Sequence, residues 1–364
     1  MSFESHDVER KVYSILKVLK NSQGASGSTV IARGLKELGI KLGERAVRYH
    51  LKLMDERGLT QLVRRDGRVI TDLGMEELKR ALVADKVGFA ISRIELLAFQ
   101  TTFNWNKHTG YIPVNISFLP KDKFNKALQF MKPIFQAGLC VSDLVAVVEG
   151  GEYIGETIVP EGKIALATVC SVAVNGALLK AGVPVDSRFG GILQIQNRQC
   201  IRFTELIHYA GSSLDPSEVF VRANMTSVAQ VAKNGNGEIL ANFREIPAMC
   251  RSITEVVSEK LKEARLGGFY LMGNVSEPVC EISVNLNRIG IILIGGLNPV
   301  AAVHEAGIPV ENHAMSALIE YRNLVKFDTL IGETNQIWGN INKKSTDISR
   351  RKEYSRKELS RTSS

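Results

Sequence analysis

The chain of 364 residues lacks any apolar run long enough to cross a membrane. Its most apolar stretches, residues 164–179 and 289–303, are broken by Asn175 and by Asn298-Pro299. Neither reaches the roughly 20 apolar residues that a spanning helix needs. Residues 1–11 are polar and charged with no apolar segment behind them, so no secretory leader is expected. Cysteine is scarce: Cys140, Cys170, Cys200, Cys250 and Cys280 are odd in number, far apart and without a Cys-x-x-Cys pair. That argues against a cysteine zinc site and fits reduced thiols in a cytoplasm. Also missing are the phosphate-binding loop of nucleotide hydrolases, His-Glu-x-x-His, Gly-x-Ser-x-Gly and any Cys/His metal spacing. Gly295-Gly296 is too little for a dinucleotide fingerprint. The expectation is a protein with no catalytic residues, no metal and no cofactor. What is present is ordinary for a globular chain, 45% hydrophobic and 23% charged, with length for two or three domains and a core that needs no staple.

Charge of one sign collects at the ends. The net charge is +8; residues 1–84 carry a net +5, residues 343–364 another +5, and the middle is close to neutral. A basic head on a neutral body suggests a nucleic-acid reader joined to a part that senses or assembles. The tail, residues 333–364, is dominated at its end by Ser, Lys and Arg without an apolar period and is expected to be disordered.

Residues 6–20 have a helical period, with Val8, Val12, Ile15, Leu16 and Leu19 on one stripe. A second helix is expected over 29–38 and a third over 44–57, stopped by Gly58. On the third, Val47, Leu51 and Met54 form the inner face, and Glu44, Arg45, Arg48, Tyr49 and Lys52 the outer. Residues 59–63 and 69–71 then read as strands around the tip Arg64-Arg65-Asp66-Gly67-Arg68, since Asp-Gly is a strong hairpin signal. A fourth helix follows, ending near residue 83. Three helices and a basic-tipped hairpin make a winged helix-turn-helix. Arg45 and Arg48 suit base edges in a major groove, and Arg64, Arg65 and Arg68 suit phosphates or a minor groove. The same module can also dock a protein.

The middle is internally duplicated. Residues 177–185 match 302–310 at an offset of 125, which also pairs Phe118 with Phe243 and Lys163-Ile164 with Arg288-Ile289; a one-residue slip pairs 201–203 with 325–327. The copies span 85–208 and 209–332 and suggest pseudo-twofold packing of two mixed α/β halves, so the fold class is α+β. In each copy a small-residue turn leads from a buried strand into a helix: Cys170-Ser171 in the first, Gly295-Gly296-Leu297-Asn298 in the second. Such turns place backbone N–H groups where an anion can bind, or are simply tight connections. His304, Glu305, Glu311 and His313 resemble a metal or acid–base cluster, but the first copy has Leu179, Lys180, Asp186 and Arg188 there, and a helix surface explains them more cheaply.

The phrases RAVRYHLKLMDERGLT, GFAISRIELLAFQTTFNWNKHTGYIPVN, AGVPVDSRFGGILQI, GEILANFREIPA and HEAGIPVENHAMSALIEY together resemble the archaeal nitrogen regulatory repressor family, over residues 5–332. The resemblance implies a homodimeric, non-enzymatic repressor of nitrogen-assimilation and nitrogen-fixation genes. It implies a palindromic double-stranded DNA operator and release by 2-oxoglutarate as allosteric effector. It leaves open a partner that is a second regulatory-family protein or a general transcription factor, including the alternative of a co-regulator whose winged helix docks such a factor. A dicarboxylate pocket should offer cations or helix N-termini. The expected effector residues are therefore Cys170, Ser171, Arg188, Arg202, Gly295, Gly296, Asn298 and His313.

Overall fold

The computed structural model describes residues 3–22, 24–37, 42–63, 66–80, 88–155 and 157–332. The chain divides into two compact units, Met1–Val87 and Gly88–Ser364.

In the first unit, α1 (Phe3–Asn21), α2 (Ser28–Glu37) and α3 (Glu44–Glu56) precede the hairpin β1 (Thr60–Val63) and β2 (Gly67–Ile70), and α4 (Asp72–Arg80) follows. The stripe Val12, Ile15, Leu16 and Leu19 packs with Ile31 and Leu35 of α2 and with Val47, Leu51 and Met54 of α3. Each such aliphatic side chain contributes roughly 1.5–3 kcal/mol when fully buried. Helix limits differ from the sequence expectation by a few residues, as helix ends do; the expected end of the fourth helix near residue 83 lies outside the described residues. Ser26 exchanges both backbone hydrogen bonds with Arg68, at 2.9 and 3.0 Å, and so adds a bridge to the hairpin. Gly67 makes this approach possible. Its φ is +117°, and a Cβ there would lie 2.3 Å from the Ser26 carbonyl carbon. This unit is a winged helix.

The second unit opens with α5 (Phe89–Gln100), a helix the sequence reading did not single out. Then come β3 (Tyr111–Pro120), α6 (Phe124–Gln136), β4 (Leu144–Glu149), a small hairpin β5 (Tyr153–Ile154) and β6 (Thr157–Ile158), β7 (Lys163–Val169), α7 (Val172–Lys180), β8 (Asp186–Gln196) and β9 (Gln199–His208). After two short helices, α8 (Pro216–Arg222) and α9 (Val228–Asn234), the series recurs: β10 (Gly237–Pro247), α10 (Arg251–Glu263), β11 (Phe269–Val275), β12 (Arg288–Ile294), α11 (Asn298–Glu305) and β13 (Glu311–Glu320). β14 (Val325–Lys326) and α12 (Phe327–Gly332) close it.

The strands form two five-stranded antiparallel sheets, ordered β13-β3-β7-β4-β14 and β11-β12-β10-β8-β9. The two copies exchange strands. β8, from the first copy, pairs with β10 of the second, and β13 of the second pairs with β3 of the first. Each copy supplies three paired strands, and neither completes a five-stranded sheet by itself. The exchange equates β3 with β10, β7 with β12 and β8 with β13.

Sheet register corrects the repeat alignment. Leu119 faces Ile164 and Ile246 faces Ile289, so Phe118 corresponds to Glu245 and Asn115 to Asn242, at an offset of 127. The offset falls to 125 after α10 because the helix-to-strand link there, residues 264–268, is two residues shorter than residues 137–143. The slipped match of 201–203 with 325–327 also changes. β9 forms a long hairpin edge on β8, whereas residues 325–326 pair with β4 and residue 327 begins a helix. Both faces of the central strands are covered. Ala165, Ala167 and Val169 of β7 join Ile289, Ile291 and Leu293 of β12 in one shared core, while Ile164 and Leu166 face α6 and α11. That is why residues 164–169 read as an apolar run with Thr168 as its one polar residue.

Candidate functional site

In the winged helix, α3 buries Val47, His50, Leu51 and Met54. The 3.6-residue period then turns Glu44, Arg45, Arg48, Tyr49 and Lys52 to solvent, with Tyr49 62% exposed despite its size. Glu44 accepts from Arg48 Nη2 at 2.7 Å and from Ser28 Oγ at 3.1 Å. Those contacts hold its carboxyl below the usual range, with the Arg48 hydrogen bond the largest cause, and they orient Arg48 from the first turn. On the hairpin, Arg68 Nε donates to Asp55 Oδ2 at 2.8 Å, and Thr60 Oγ1 donates to Asp55 Oδ1 at 2.6 Å. Arg68 is thus a strut between the wing and the end of α3 rather than a free phosphate contact. Arg64 and Arg65 lie outside the described residues.

In the second unit, the turns after β7 and β12 line one buried polar cavity of about 20 Å³ together with Asn115 and Asn242. Asn242 Oδ1 accepts from the Tyr209 hydroxyl at 2.5 Å, and its Nδ2 donates to Ser171 Oγ at 3.2 Å. Asn115 Oδ1 accepts from Met315 N at 3.1 Å. Arg244, 1% exposed, also lines the cavity. Its Nε donates to Asn175 Oδ1 and its Nη1 to its neighbour's carbonyl, Phe243 O, both at 3.3 Å. The guanidinium stands 5.0 Å from the Tyr209 ring centre. No carboxylate lies within ion-pair distance of Arg244 among the described residues. Burial pushes the Cys170 thiol and the Tyr209 hydroxyl up to about 12, so both stay neutral. Asp215, which caps α8 by accepting from Ser217 N at 2.8 Å, is pushed up to about 6 by burial, with the Glu218 charge adding to the shift. Gly296 is required here. A Cβ would lie 2.5 Å from Val169 O and 2.7 Å from Asn115 Nδ2.

Beside the cavity lies an open cleft of about 450 Å³, lined by Arg93, Phe118, Glu218, His313 and Ser316 among others. Asp215, Ala314 and Met315 line both spaces. The dividing segment is a break in the β13 register between His313 and Ala317, with Met315 at φ +51°. Arg93 holds it by donating to Met315 O and Ser316 O, each at 3.0 Å, and Glu218 accepts from Ala314 N at 2.6 Å.

Residues 87–326 match the family described as NrpR regulatory domains NRD1 and 2. The chain belongs to the NrpR family of nitrogen regulators. Residues 13–78 match the winged-helix domain described for ribonuclease R. Among curated relatives, the global nitrogen regulator NrpRI of Methanosarcina mazei is 40% identical over 87% of this chain and 98% of its own length. The global nitrogen regulators NrpR of Methanocaldococcus jannaschii and Methanococcus maripaludis are 32% and 30% identical, and the chain spans about half the length of each, 55% and 54%. A crystal structure of a nitrogen repressor-like protein from Methanococcus jannaschii is similar with a TM-score of 0.56 and 29% identity, over 65% of this chain and 98% of that one.

Within this NrpR architecture the expected effector residues separate. Cys170, Ser171 and Gly296 line the cavity, and His313 lines the cleft. Gly295 packs its backbone against Leu240. Asn298 is structural: its Oδ1 accepts from Leu240 N at 2.8 Å and its Nδ2 donates to Leu240 O at 3.1 Å. Arg188 belongs to an ion cluster with Asp186, Glu245 and Arg288, and Arg202 is exposed with Gln194 as partner. Neither lines the cavity or the cleft. The reading missed Asn115, Asn242, Arg244, Tyr209 and Asp215. For Asn115, Asn242 and Arg244 the signal is the phrase Asn-Ile-Ser-Phe-Leu-Pro at 115–120 against Asn-Phe-Arg-Glu-Ile-Pro at 242–247, hidden by the two-residue change in offset; Tyr209 and Asp215 lie outside those phrases. Among the described residues, no group of three or more His, Cys, Asp and Glu side chains is placed to hold a metal ion, and no helix is long and apolar enough to cross a membrane.

Proposed function

We propose that the chain is a homodimeric repressor of nitrogen-assimilation genes that reads a palindromic operator through α3 and is released by 2-oxoglutarate bound at the Arg244 cavity and its adjoining cleft. Family membership supports the regulatory role. The observation that carries the effector site is Arg244. A buried guanidinium costs several kcal/mol of desolvation when no anion faces it, and a ligand carboxylate is the group that offsets this cost with bidentate geometry. The cavity has room for about one water, whereas the cleft is large enough for a small dicarboxylate. Binding then means that one carboxylate enters toward Arg244 while the rest of the molecule occupies the cleft near His313. Entry displaces the Met315 segment and favours a second arrangement of the body.

The coupling follows from differential affinity. If the ligand prefers an arrangement whose two recognition helices no longer sit about 34–36 Å apart, it weakens operator binding by that preference alone. The outward face of α3 supports the DNA role, since Arg45, Arg48 and Lys52 are exposed on one side with Tyr49 between them. The test is fluorescence anisotropy on palindromic operator DNA with and without 2-oxoglutarate, for the full chain and for Arg244→Met. Release of the parent and retention of the variant on DNA are expected. Equal release of both sinks the site, and no specific DNA binding at moderate salt sinks the repressor.

A further inference from the structure

One pair of side chains in the second unit serves neither the cavity nor its packing. Cys200, at the start of β9, and Cys280 have their sulfurs 2.8 Å apart, with Cys280 donating to Cys200. Each is only half-buried, at the edge of the core beneath β8 and β10, and edge packing alone does not call for two sulfurs in contact. They come together because two tight left-handed turns face each other. Asn197 and Arg198, at φ +50° and +63°, turn the chain from β8 into β9. Cys280 and Glu281, at φ +46° and +65°, form a two-residue turn closed by Val279 N to Ile282 O at 2.9 Å and Ile282 N to Val279 O at 3.0 Å. Non-glycine residues adopt such φ values only when their surroundings hold them. Here Val279 is 3% exposed in the core beneath, and the Tyr270 hydroxyl donates to Arg198 O at 3.3 Å beside the pair. The sulfurs meet across 80 residues of sequence on a supported scaffold.

We propose that Cys200 and Cys280 form a reversible intramolecular disulfide that fastens the connection between β11 and β12 to the β8–β9 hairpin. The oxidant class is a low-molecular-weight disulfide, RSSR. The Cys200 thiolate attacks one sulfur of RSSR, forming a mixed disulfide and expelling RS⁻. Cys280 then attacks Cys200 Sγ. The sulfur–sulfur bond to the R group breaks, the protein disulfide forms, and the Cys280 proton leaves with the second thiolate. Two electrons pass from the protein pair to RSSR, which becomes two RSH. The sulfurs need close only from 2.8 Å to the bonded length of about 2.0 Å. Reactivity supports the order of attack. The hydrogen bond from Cys280 holds the Cys200 thiol down at about 7, and the same contact pushes Cys280 up. Burial pushes Cys140 and Cys170 up to about 12, which leaves them poor nucleophiles.

The test uses the full chain, reduced, desalted without air and then exposed to 2-hydroxyethyl disulfide. Samples are denatured, blocked with a maleimide and weighed intact. The reduced chain should take five maleimide groups, one per cysteine, and the oxidised chain three. The oxidised chain should also be about 2 Da lighter before labelling, and the linked peptides should contain Cys200 and Cys280. A reducing thiol should restore five. Cys280→Ser should trap the mixed disulfide on Cys200, and Cys200→Ser should lose the fast reaction. Five free thiols after exposure, a bond between any other pair, or trapping in Cys200→Ser instead of Cys280→Ser overturns the assignment.

Discussion

In the proposed effector site Arg244 is the deciding residue, and its cost is measurable apart from its use. Replacing it by Met removes a buried cation that has no carboxylate partner among the described residues. Substitutions of that kind are neutral or stabilising when the apolar side chain fits. We therefore expect the Arg244→Met variant to unfold at the same temperature as the parent or higher, by scanning calorimetry, while losing the response to 2-oxoglutarate. A merely structural role predicts a marked drop instead. Asp215 gives a pH dependence with a definite sign. Its carboxyl titrates at about 6, raised by burial and then by Glu218, and it lines both cavity and cleft. An ionised Asp215 repels a dianion, so effector affinity should rise as pH falls through about 6. Arg244, Glu218 and His313 also face these spaces. Asp215→Asn, which keeps a side chain able to cap α8, should flatten the Asp215 share of the profile in isothermal titration calorimetry. At this scale the sequence displayed the cavity turns but concealed Arg244. An arginine between Phe243 and Glu245 in a strand can be paired, exposed or buried, and only the strand exchange decides which.

At the level of elements, α3 and the wing were legible because their apolar period and Asp-Gly turn are local signals. The wing's anchoring was not, since Asp55 and Arg68 meet only after the hairpin folds back on α3. Two substitutions separate reading from support. Arg48→Ala should relax base preference by about 1–3 kcal/mol against mismatched sites, read by competition anisotropy, with little change in stability because Arg48 is exposed. Arg68→Ala should lower stability by about 1 kcal/mol in denaturant titration, since it breaks a partly buried pair with Asp55. Its effect on DNA should be uniform across sequences. The helices α8 and α9, of seven residues each, are too short to show a period, and on α5 the exposed Leu96 and Phe99 blur the buried stripe of Ala90, Ile94, Leu97 and Ala98, so none of the three stands out in the sequence.

For the molecule as a whole, the duplication was visible in sequence but its exchange of strands was not, because repeats record descent and not which strand pairs with which. β8 completes the sheet of the second copy and β13 that of the first. A fragment of residues 88–208 or of 209–332 alone should therefore aggregate, with open strand edges, while the two expressed together should reassemble into a soluble complex; size-exclusion chromatography with light scattering reads this. Under the proposed function the same exchange would let a ligand at the cavity act on both sheets at once. Simultaneous titration of operator DNA and 2-oxoglutarate, followed by anisotropy on the full chain, bears on that coupling without intermediaries. The apparent DNA affinity should fall as 2-oxoglutarate rises, to a plateau set by the ratio of affinities in the two states, and by linkage operator DNA should weaken 2-oxoglutarate binding by the same factor. Independent binding of the two ligands, with neither curve moved by the other, would contradict the account.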